Sequence, residues 1–529
     1  MYIRIKKNVS GSSTVMLLKS ERRPGKPNAY STLIKNFGTS NDPKVIAQYQ
    51  QQAQAYKKLM GEENKTTKLL KVASSKDIAA CGYVNLGFHS IYGKIFDRCL
   101  SCIDSLTPRN KDLLKSLCVL RTADPCSKHR SVQISREYGY DFKVDSAYKL
   151  MDKIDQGVIE SIKQSITQYS HRKLKAAQSK IEVVFYDLTT LYFEANEPDE
   201  LRQFGFSKDG KSQHVQITLA LLVTTEGLPL GYELFPGNMY EGKTLELILD
   251  KLSSTYQIHQ AVIVADSGLL NKHNIALLTL KGYRYIIAAR VKSMKKAHSE
   301  VLCDASGYQR ISEDIQAKVV KYDDDNALVC CYSDKKARKD QYERAERLAK
   351  LLKKEGQSIK SLLPSKHNTP YVKVTHDARV KIDHDVVDST AKYDGYYALI
   401  TNIGPIEDID PMAILSQYKG LWQIERSFRI MKTELSIRPV YHWSVPRMKA
   451  HFAICYISFA MVRYLQWTLK QKGHPMSPRE IQDILRSVRT THVRDKNGDM
   501  FHLLHELSQE AKTIYKAVHV ALPRGFTAQ

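Results

Sequence analysis

Three acidic residues, widely separated along the chain, are of the right type to hold hard divalent cations: Asp187, Asp266 and Glu425. Displacement at a phosphodiester needs the attacking and leaving oxygens in line, with the charge on both neutralised. Two divalent ions roughly 3.5–4 Å apart do this, and such ions take oxygen ligands. Three carboxylates suffice if rigid elements make them converge. Each alone says little, because Asp caps strands and turns everywhere and a helical Glu is ordinarily a solvated surface residue. The ordered combination carries the reading.

The elements around the two aspartates read as one plan. Ile181 to Asp187 is a short β-branched run ending in a carboxylate, and Ala261 to Asp266 is another. Between them, His214–Thr224 and Leu230–Phe235 flank Glu226-Gly227-Leu228-Pro229, which predicts a hairpin. A helix over Lys243–Leu252 follows, then a helix from Asn271 to Lys281 and a strand from Tyr283 to Arg290. Strand, hairpin, helix, strand, helix, strand is the order of an α/β, ribonuclease H-like core: a mixed sheet flanked by helices. In that plan Asp187 and Asp266 end adjacent parallel strands about 4.8 Å apart. Ligands of such sheets bind outside the carboxyl ends of the strands.

The third carboxylate must arrive on a helix crossing that edge. The sequence predicts one from Pro411 to about Leu435. Tyr418, Glu425 and Lys432 are spaced seven and seven, close to two turns each, and so share a stripe with Arg429 one turn beyond Glu425. Trp422, Arg426 and Phe428 add aromatic and cationic surface suited to a DNA backbone.

Elsewhere the chain reads as further units, and its length suggests three or four. Residues 1–40 predict a three-stranded β element (Tyr2–Lys7, Thr14–Lys19, Tyr30–Lys35) with a turn at Pro24-Gly25-Lys26-Pro27. Residues 41–178 read as mainly helical and as a DNA-end-binding region, 179–292 as the first part of the core, and 393–470 as its second part. Between these, 293–392 read as a strand-rich insertion domain, with a charged helix from Lys335 to Lys354 and a solvated turn at Asp323-Asp324-Asp325. Residues 471–529 predict a helical C-terminal region.

Composition bounds the partners. In 529 residues, 80 Lys+Arg stand against 56 Asp+Glu, a net charge of +24 spread along the chain. That excess favours a polyanion, because each neutralised phosphate releases condensed counterions. The N-terminus lacks the apolar run of a signal peptide, so a cytoplasmic location is expected. The most apolar stretch, Phe452–Trp467, contains Arg463 and reads as a buried amphipathic helix; no membrane association is expected. Nine cysteines include a lone Cys99/Cys102 pair whose neighbours Cys118 and Cys126 are spaced wrongly for zinc.

These motifs resemble the DDE transposases of bacterial insertion sequences, of the IS-four-like superfamily, in the long-chain group with a YDLTT-type first motif. The first motif is Tyr186-Asp187-Leu188-Thr189-Thr190. Gly205-Phe206-Ser207-Lys208-Asp209-Gly210-Lys211 leads into the hairpin, which ends Phe235-Pro236-Gly237-Asn238 with Glu241 and Thr244 after it. The second motif is Asp266-Ser267-Gly268-Leu269, and the third runs from Tyr418 through Glu425 to Lys432. The resemblance implies that Asp187, Asp266 and Glu425 form the catalytic, metal-binding triad, with two Mg²⁺ ions that Mn²⁺ can replace. It implies that Tyr418 and Lys432 contact transposon-end DNA. Arg429 and Lys292 are further backbone contacts expected here. Leu421 stands where the family's third motif usually has Arg, so Lys419, Arg426 or Arg429 is expected to supply that charge, beside Trp422. Leu269 stands where an aromatic often follows the Gly.

The implied activity is cut-and-paste transposition. Activated water attacks the phosphodiester at each terminal inverted repeat, and the freed 3′ hydroxyl then attacks target DNA. The implied partners are double-stranded DNA and, in the DNA complex, a second copy of the chain, in a bacterial cytoplasm and on the nucleoid when DNA is bound. Two alternatives stay open: a two-metal nuclease that does not transpose, and a catalytically inactive, transposase-derived DNA-binding protein.

Overall fold

The computed structural model describes residues 1–21, 30–72, 78–194, 197–207, 213–256, 258–353, 355–358, 371–376, 379–495, 500–523 and 526–528. The turn expected at Pro24–Pro27 and the Lys208–Lys211 part of the motif before the hairpin lie outside them. In chain order the strands are β1 Tyr2–Lys7, β2 Ser13–Glu21, β3 Tyr30–Ser40, β4 Ile78–Asn85, β5 Val183–Tyr192, β6 Gln216–Thr224, β7 Pro229–Pro236, β8 Val262–Ala265 and β9 Arg284–Ala288. Then come β10 Gln309–Arg310, β11 Ile315–Lys321, β12 Ala327–Ser333, β13 Val372–Val374, β14 Val380–Ile382, β15 Tyr396–Thr401, β16 Arg489–Asp495, β17 Met500–Leu504 and β18 Phe526–Ala528. The helices are α1 Pro43–Val72, α2 Leu86–Cys99, α3 Pro108–Ala123, α4 Lys128–Ile134, α5 Val144–Lys153, α6 Gln156–Ala176, α7 Glu241–Ser254 and α8 Lys272–Leu280. They continue with α9 Lys296–Cys303, α10 Asp334–Leu352, α11 His384–Ala391, α12 Pro411–Lys419, α13 Trp422–Arg429, α14 Val445–Gln471, α15 Pro478–Ser487 and α16 Gln509–Val518.

The chain divides into two units. The first comprises Met1–Gly87, Arg136–Gly139 and Asp483–Gln529. In it β1, β2 and β3 form an antiparallel sheet in that order, with α1 packed on it. A second antiparallel sheet runs β18-β17-β16-β4. The C-terminal region is therefore not all helical: Thr490, Thr491 and Val493 supply the β-branched side chains of β16, which pairs with β4 from the N-terminal half. β4 is likewise a strand within the stretch read as helical.

The second unit comprises Phe88–Ser135 and Tyr140–Gln482. Its centre is α14, which packs against α3, α5, α6 and β7. An amphipathic helix is expected there, but from Met448 to Trp467 nearly every residue is buried whichever way it points. A helix apolar all round belongs in a core. Among the described residues no helix is long and apolar enough to cross a membrane. Side-chain caps start the surrounding helices: Thr107 accepts from Asn110 N before α3, and Asp155 from Val158 N before α6.

The main sheet has nine strands in the order β10-β11-β12-β15-β9-β8-β5-β6-β7. The segment β7-β6-β5-β8-β9 is antiparallel through β6 and parallel from β5 to β9, which is the ribonuclease H-like order. Strands β10–β12 of the expected insertion extend this sheet through β15, because β15 pairs with β12 on one edge and β9 on the other. The triplet Asp323–Asp325 sits in the turn joining β11 to β12. Further along, Leu351, Tyr371, Val380, Ile382 and Val387 make a small core of their own. One face of the sheet, with Val184, Tyr186 and Leu188 of β5, packs with α7 residues Ile248, Leu249 and Leu252. Side chains alternate along a strand, so Phe185 and Asp187 belong to the opposite face.

Candidate active site

β5 and β8 run parallel, and their last paired residues are Tyr186 and Ala265. Asp187 and Asp266 are the next residue on each strand, so the two carboxylates leave the ladder side by side. Only β8 ends there. β5 continues to Tyr192 because Leu188–Tyr192 stay paired with β6, which corrects the expectation that Asp187 closes its strand. Each carboxylate is fixed locally: Asp187 Oδ1 accepts from Leu188 N at 2.7 Å, and Asp266 Oδ1 accepts from Ser267 N at 2.7 Å. Asp187 is half-buried and Asp266 exposed.

The third motif crosses the face on which Asp187 lies, but not as one regular helix. α12 packs over β8, β9 and β11, and α13 over β5 and β6. Between them Leu421 N bonds Tyr418 O, Gln423 N bonds Gly420 O, and Ile424 N bonds Leu421 O, the tighter three-residue pattern. Gly420 is required there: a Cβ on it would stand 2.4 Å from Phe185 Cζ, so only glycine lets the helix lie this close to β5. After Arg429 the chain widens into one π turn, Ile430–Glu434. The seven-residue stripe from Tyr418 to Lys432 is thus broken on both sides of Glu425.

Tyr418 nonetheless ties the three acids together. Its half-buried phenol is pushed up to about 12, first by burial and then by the negative charges of Asp266, Glu425 and Asp187. One ring therefore lies within electrostatic reach of all three. Among the described residues no three His, Cys, Asp or Glu side chains stand close enough to ligate one ion together. The donors are nevertheless carboxylate oxygens, which suit a hard divalent cation, and exposed Glu425 has a side chain long enough to adjust. Replacing the three acids together (Asp187→Asn, Asp266→Asn, Glu425→Gln) should lower the Tyr418 pKa while burial keeps it above the ordinary 10.0. Carbon-13 tyrosine NMR, with Tyr418→Phe to assign the signal, reads this out; an unchanged pKa would mean that the acids do not surround the ring.

The other expected contacts are distributed more widely. Trp422 is half exposed, and the Arg426 guanidinium lies 5.9 Å from its ring centroid. Lys419 and Arg429 are exposed and Lys432 is half-buried. Lys292 lines a separate cavity of about 250 Å³ with Lys336, Asp340, Arg344 and Asp394, and none of the three acids borders it.

The supporting contacts of several residues escape sequence reasoning. Tyr186, buried beside Asp187, donates its hydroxyl to Thr244 Oγ1 at 2.8 Å, which fixes α7 to the first motif. Arg290, at the end of β9, donates Nε to Ser267 O at 2.9 Å and Nη2 to Gly268 O at 3.3 Å, bracing the turn after Asp266. Buried Arg463 of α14 donates to Gly227 O at 2.8 Å, Glu226 O at 2.9 Å and Gln423 Oε1 at 3.4 Å, linking the β6–β7 turn to α13. Burial lowers its pKa to about 10. An arginine inside an apolar helix was the available signal.

The family described as transposase DDE domain matches residues 178–461, more than half of the chain. The chain belongs to this family. It is a transposase, a DDE-type polynucleotidyl transferase and endonuclease, and the family generally uses divalent metal ions. No curated protein matches the sequence. Two solved structures are similar to this transposase in part. One is a piggyBac transposase synaptic complex with hairpin DNA, 12% identical over 76% of this chain and 78% of the other, with a TM-score of 0.38. The second is a Mos1 transposase paired-end complex with its left transposon end, 9% identical over 34% of this chain and 59% of the other, with a TM-score of 0.16.

Proposed function

We propose that this transposase belongs to the IS-four-like group, binds the terminal inverted repeats of an insertion sequence, and excises and inserts it with Asp187, Asp266 and Glu425 as its catalytic residues. The observation that supports the assignment best is that Asp187 and Asp266 follow the last paired residues of the parallel strands β5 and β8, with α13, which carries Glu425, packed over β5 and β6. The three carboxylates would hold two Mg²⁺ ions, or Mn²⁺ in their place. Ions bound there supply the positive charge that activates a nucleophile and stabilises the leaving oxygen.

The chain's own residues do the rest. Asp187 is held by pairing with β6, and Asp266 directly follows the last paired residue of β8, with its carboxylate accepting from Ser267 N. Glu425 closes the site from α13, whose position Gly420 and Arg463 set. Tyr418 stays protonated at neutral pH and can donate a hydrogen bond to a phosphate oxygen. Lys419, Trp422, Arg426, Arg429 and Lys432, on α12, α13 and the π turn, would hold the DNA backbone, with Lys292 as an outlying contact; such contacts position DNA without reading bases. Bringing two ends together calls for a homodimer in the DNA complex.

The test is cleavage and strand transfer on labelled DNA carrying the element's own ends, with Mg²⁺, comparing wild type with Glu425→Gln. Wild type should cut at the ends and join them to target DNA, while the variant binds the ends without cutting. Cutting without joining would favour the non-transposing nuclease. Binding without cutting by both proteins would favour the inactive, transposase-derived reading. Equal cutting by both would remove Glu425 from the site.

A further inference from the structure

The first unit carries a surface that the catalytic reading does not use. Residues 1–40 hold eight Lys and Arg against a single acid, Glu21, a far higher density of positive charge than the chain as a whole. The described part of this segment forms the sheet β1-β2-β3, whose faces differ: by register Arg4 and Lys6 lie on one, Lys7, Lys19 and Lys35 on the other, and the remaining three cations fall outside the described residues. On one face lie Ile3, Ile5, Val15, Leu17, Lys35 and Gly38 by register. That face meets α1: a Cβ on Gly38 would clash with the Tyr49 ring, and Lys35 Nζ lies 4.3 Å from the Tyr56 ring centroid.

The opposite face is built of three rungs: Tyr2–Leu18–Leu33, Arg4–Met16–Asn36 and Lys6–Thr14–Thr39. Tyr2, Arg4, Lys6, Leu33, Asn36 and Thr39 on its two outer strands are exposed. Hydrogen bonds stiffen the rungs, with Tyr2 hydroxyl to Ser31 Oγ at 2.7 Å and Thr14 to Thr39 hydroxyls at 2.7 Å. An antiparallel sheet can simply turn its second face to water. This one turns arginine and lysine, which pair with guanine edges, and Asn36, whose Oδ1 accepts from Gly38 N at 3.1 Å and whose amide can still donate to an adenine edge. The axes of the two outer strands stand about 10 Å apart, against a width of about 12 Å for the major groove of B-DNA.

We propose that the outer face of β1–β3 enters the major groove of the terminal repeat and supplies its sequence recognition, with Arg4 and Asn36 reading base edges and Lys6 on a phosphate. Sheets serve as groove readers in other proteins. The assignment places end recognition outside residues 41–178, the region expected to bind the ends, where α3, α5 and α6 pack on α14. It rests on the transposase acting at specific DNA ends, and its test separates the two claims.

The experiment uses the full chain and two fluorescent duplexes, one carrying the terminal repeat and one a shuffled sequence of equal composition. Arg4→Ala with Asn36→Ala should lower the preference for the repeat about ten- to a hundredfold per lost base contact. Lys6→Ala should weaken both duplexes alike and reduce the salt dependence by about one phosphate contact. Thermal midpoints should match wild type, since these residues are exposed, and Lys58→Ala on α1 serves as the control expected to keep the preference. If wild type prefers and cuts the repeat but the double variant keeps that preference, the sheet is not the reader. If wild type neither prefers nor cuts the repeat, the end-specific reading itself fails.

Discussion

Asp187→Asn abolishes DNA cleavage while leaving DNA binding and the thermal midpoint near their wild-type values. Loss of one of three ligands to a catalytic ion removes several kcal/mol of charge stabilisation, and about 4 kcal/mol corresponds to roughly 10³-fold in rate. The substitution is nearly isosteric, and the amide oxygen can still accept from Leu188 N, which bonds the carboxylate at 2.7 Å. Tyr186 keeps its bond to Thr244, so the strand should not shift. End cleavage in Mg²⁺ measures the loss, with binding measured in Ca²⁺ as control. A variant that cut within tenfold of wild type would exclude Asp187 as a ligand.

Arg463→Met has the second large effect, and it acts through stability. The guanidinium is 4% exposed and satisfies the carbonyls of Glu226 and Gly227 together with the amides of Gln423 and Gln466. Methionine retains the packing but leaves buried acceptors unpaired, at about 1–3 kcal/mol each. A total loss of about 3–5 kcal/mol is expected, comparable to breaking a buried ion pair by removing one partner. Chemical denaturation followed by a fluorescence signal from the catalytic unit reads this. Because Gln423 sits on α13, residual folded enzyme should also lose cleavage out of proportion to DNA binding. Unchanged stability would show that the buried carbonyls find other donors.

The core was legible because its strands carry local signals. β-branched runs at Val183–Asp187 and Val262–Ala265, and Gly227 at the hairpin turn with φ +74, announce themselves without tertiary context. What stayed hidden depends on contacts distant in sequence. The need for glycine at Gly420 follows from the Phe185 ring, more than two hundred residues earlier. The sheet positions of β11 and β12 depend on β15, which lies beyond the small core of α10, β13 and β14. β16 is a strand because it meets β4, some four hundred residues away. The three acids themselves were readable from type and order. The residues that brace them (Arg290 on carbonyls, Arg463 in an apolar helix) were not, since a lone arginine does not name its partner. The positive charge of residues 1–40 was countable at the outset, but that Arg4 and Lys6 share one sheet face needed the register.

If Asp266 ligates a catalytic ion, a change of ligand atom should change which metal supports cleavage. In Asp266→Cys a thiolate replaces the carboxylate, and thiolates bind Mg²⁺ poorly but softer divalent ions better. End cleavage by this variant would be measured with Mg²⁺ alone and with Mn²⁺ added, beside wild type. Almost no cutting in Mg²⁺ and substantial recovery in Mn²⁺ are expected, while wild type cuts in both. A variant that cuts as well as wild type in Mg²⁺ would contradict a ligand role for Asp266.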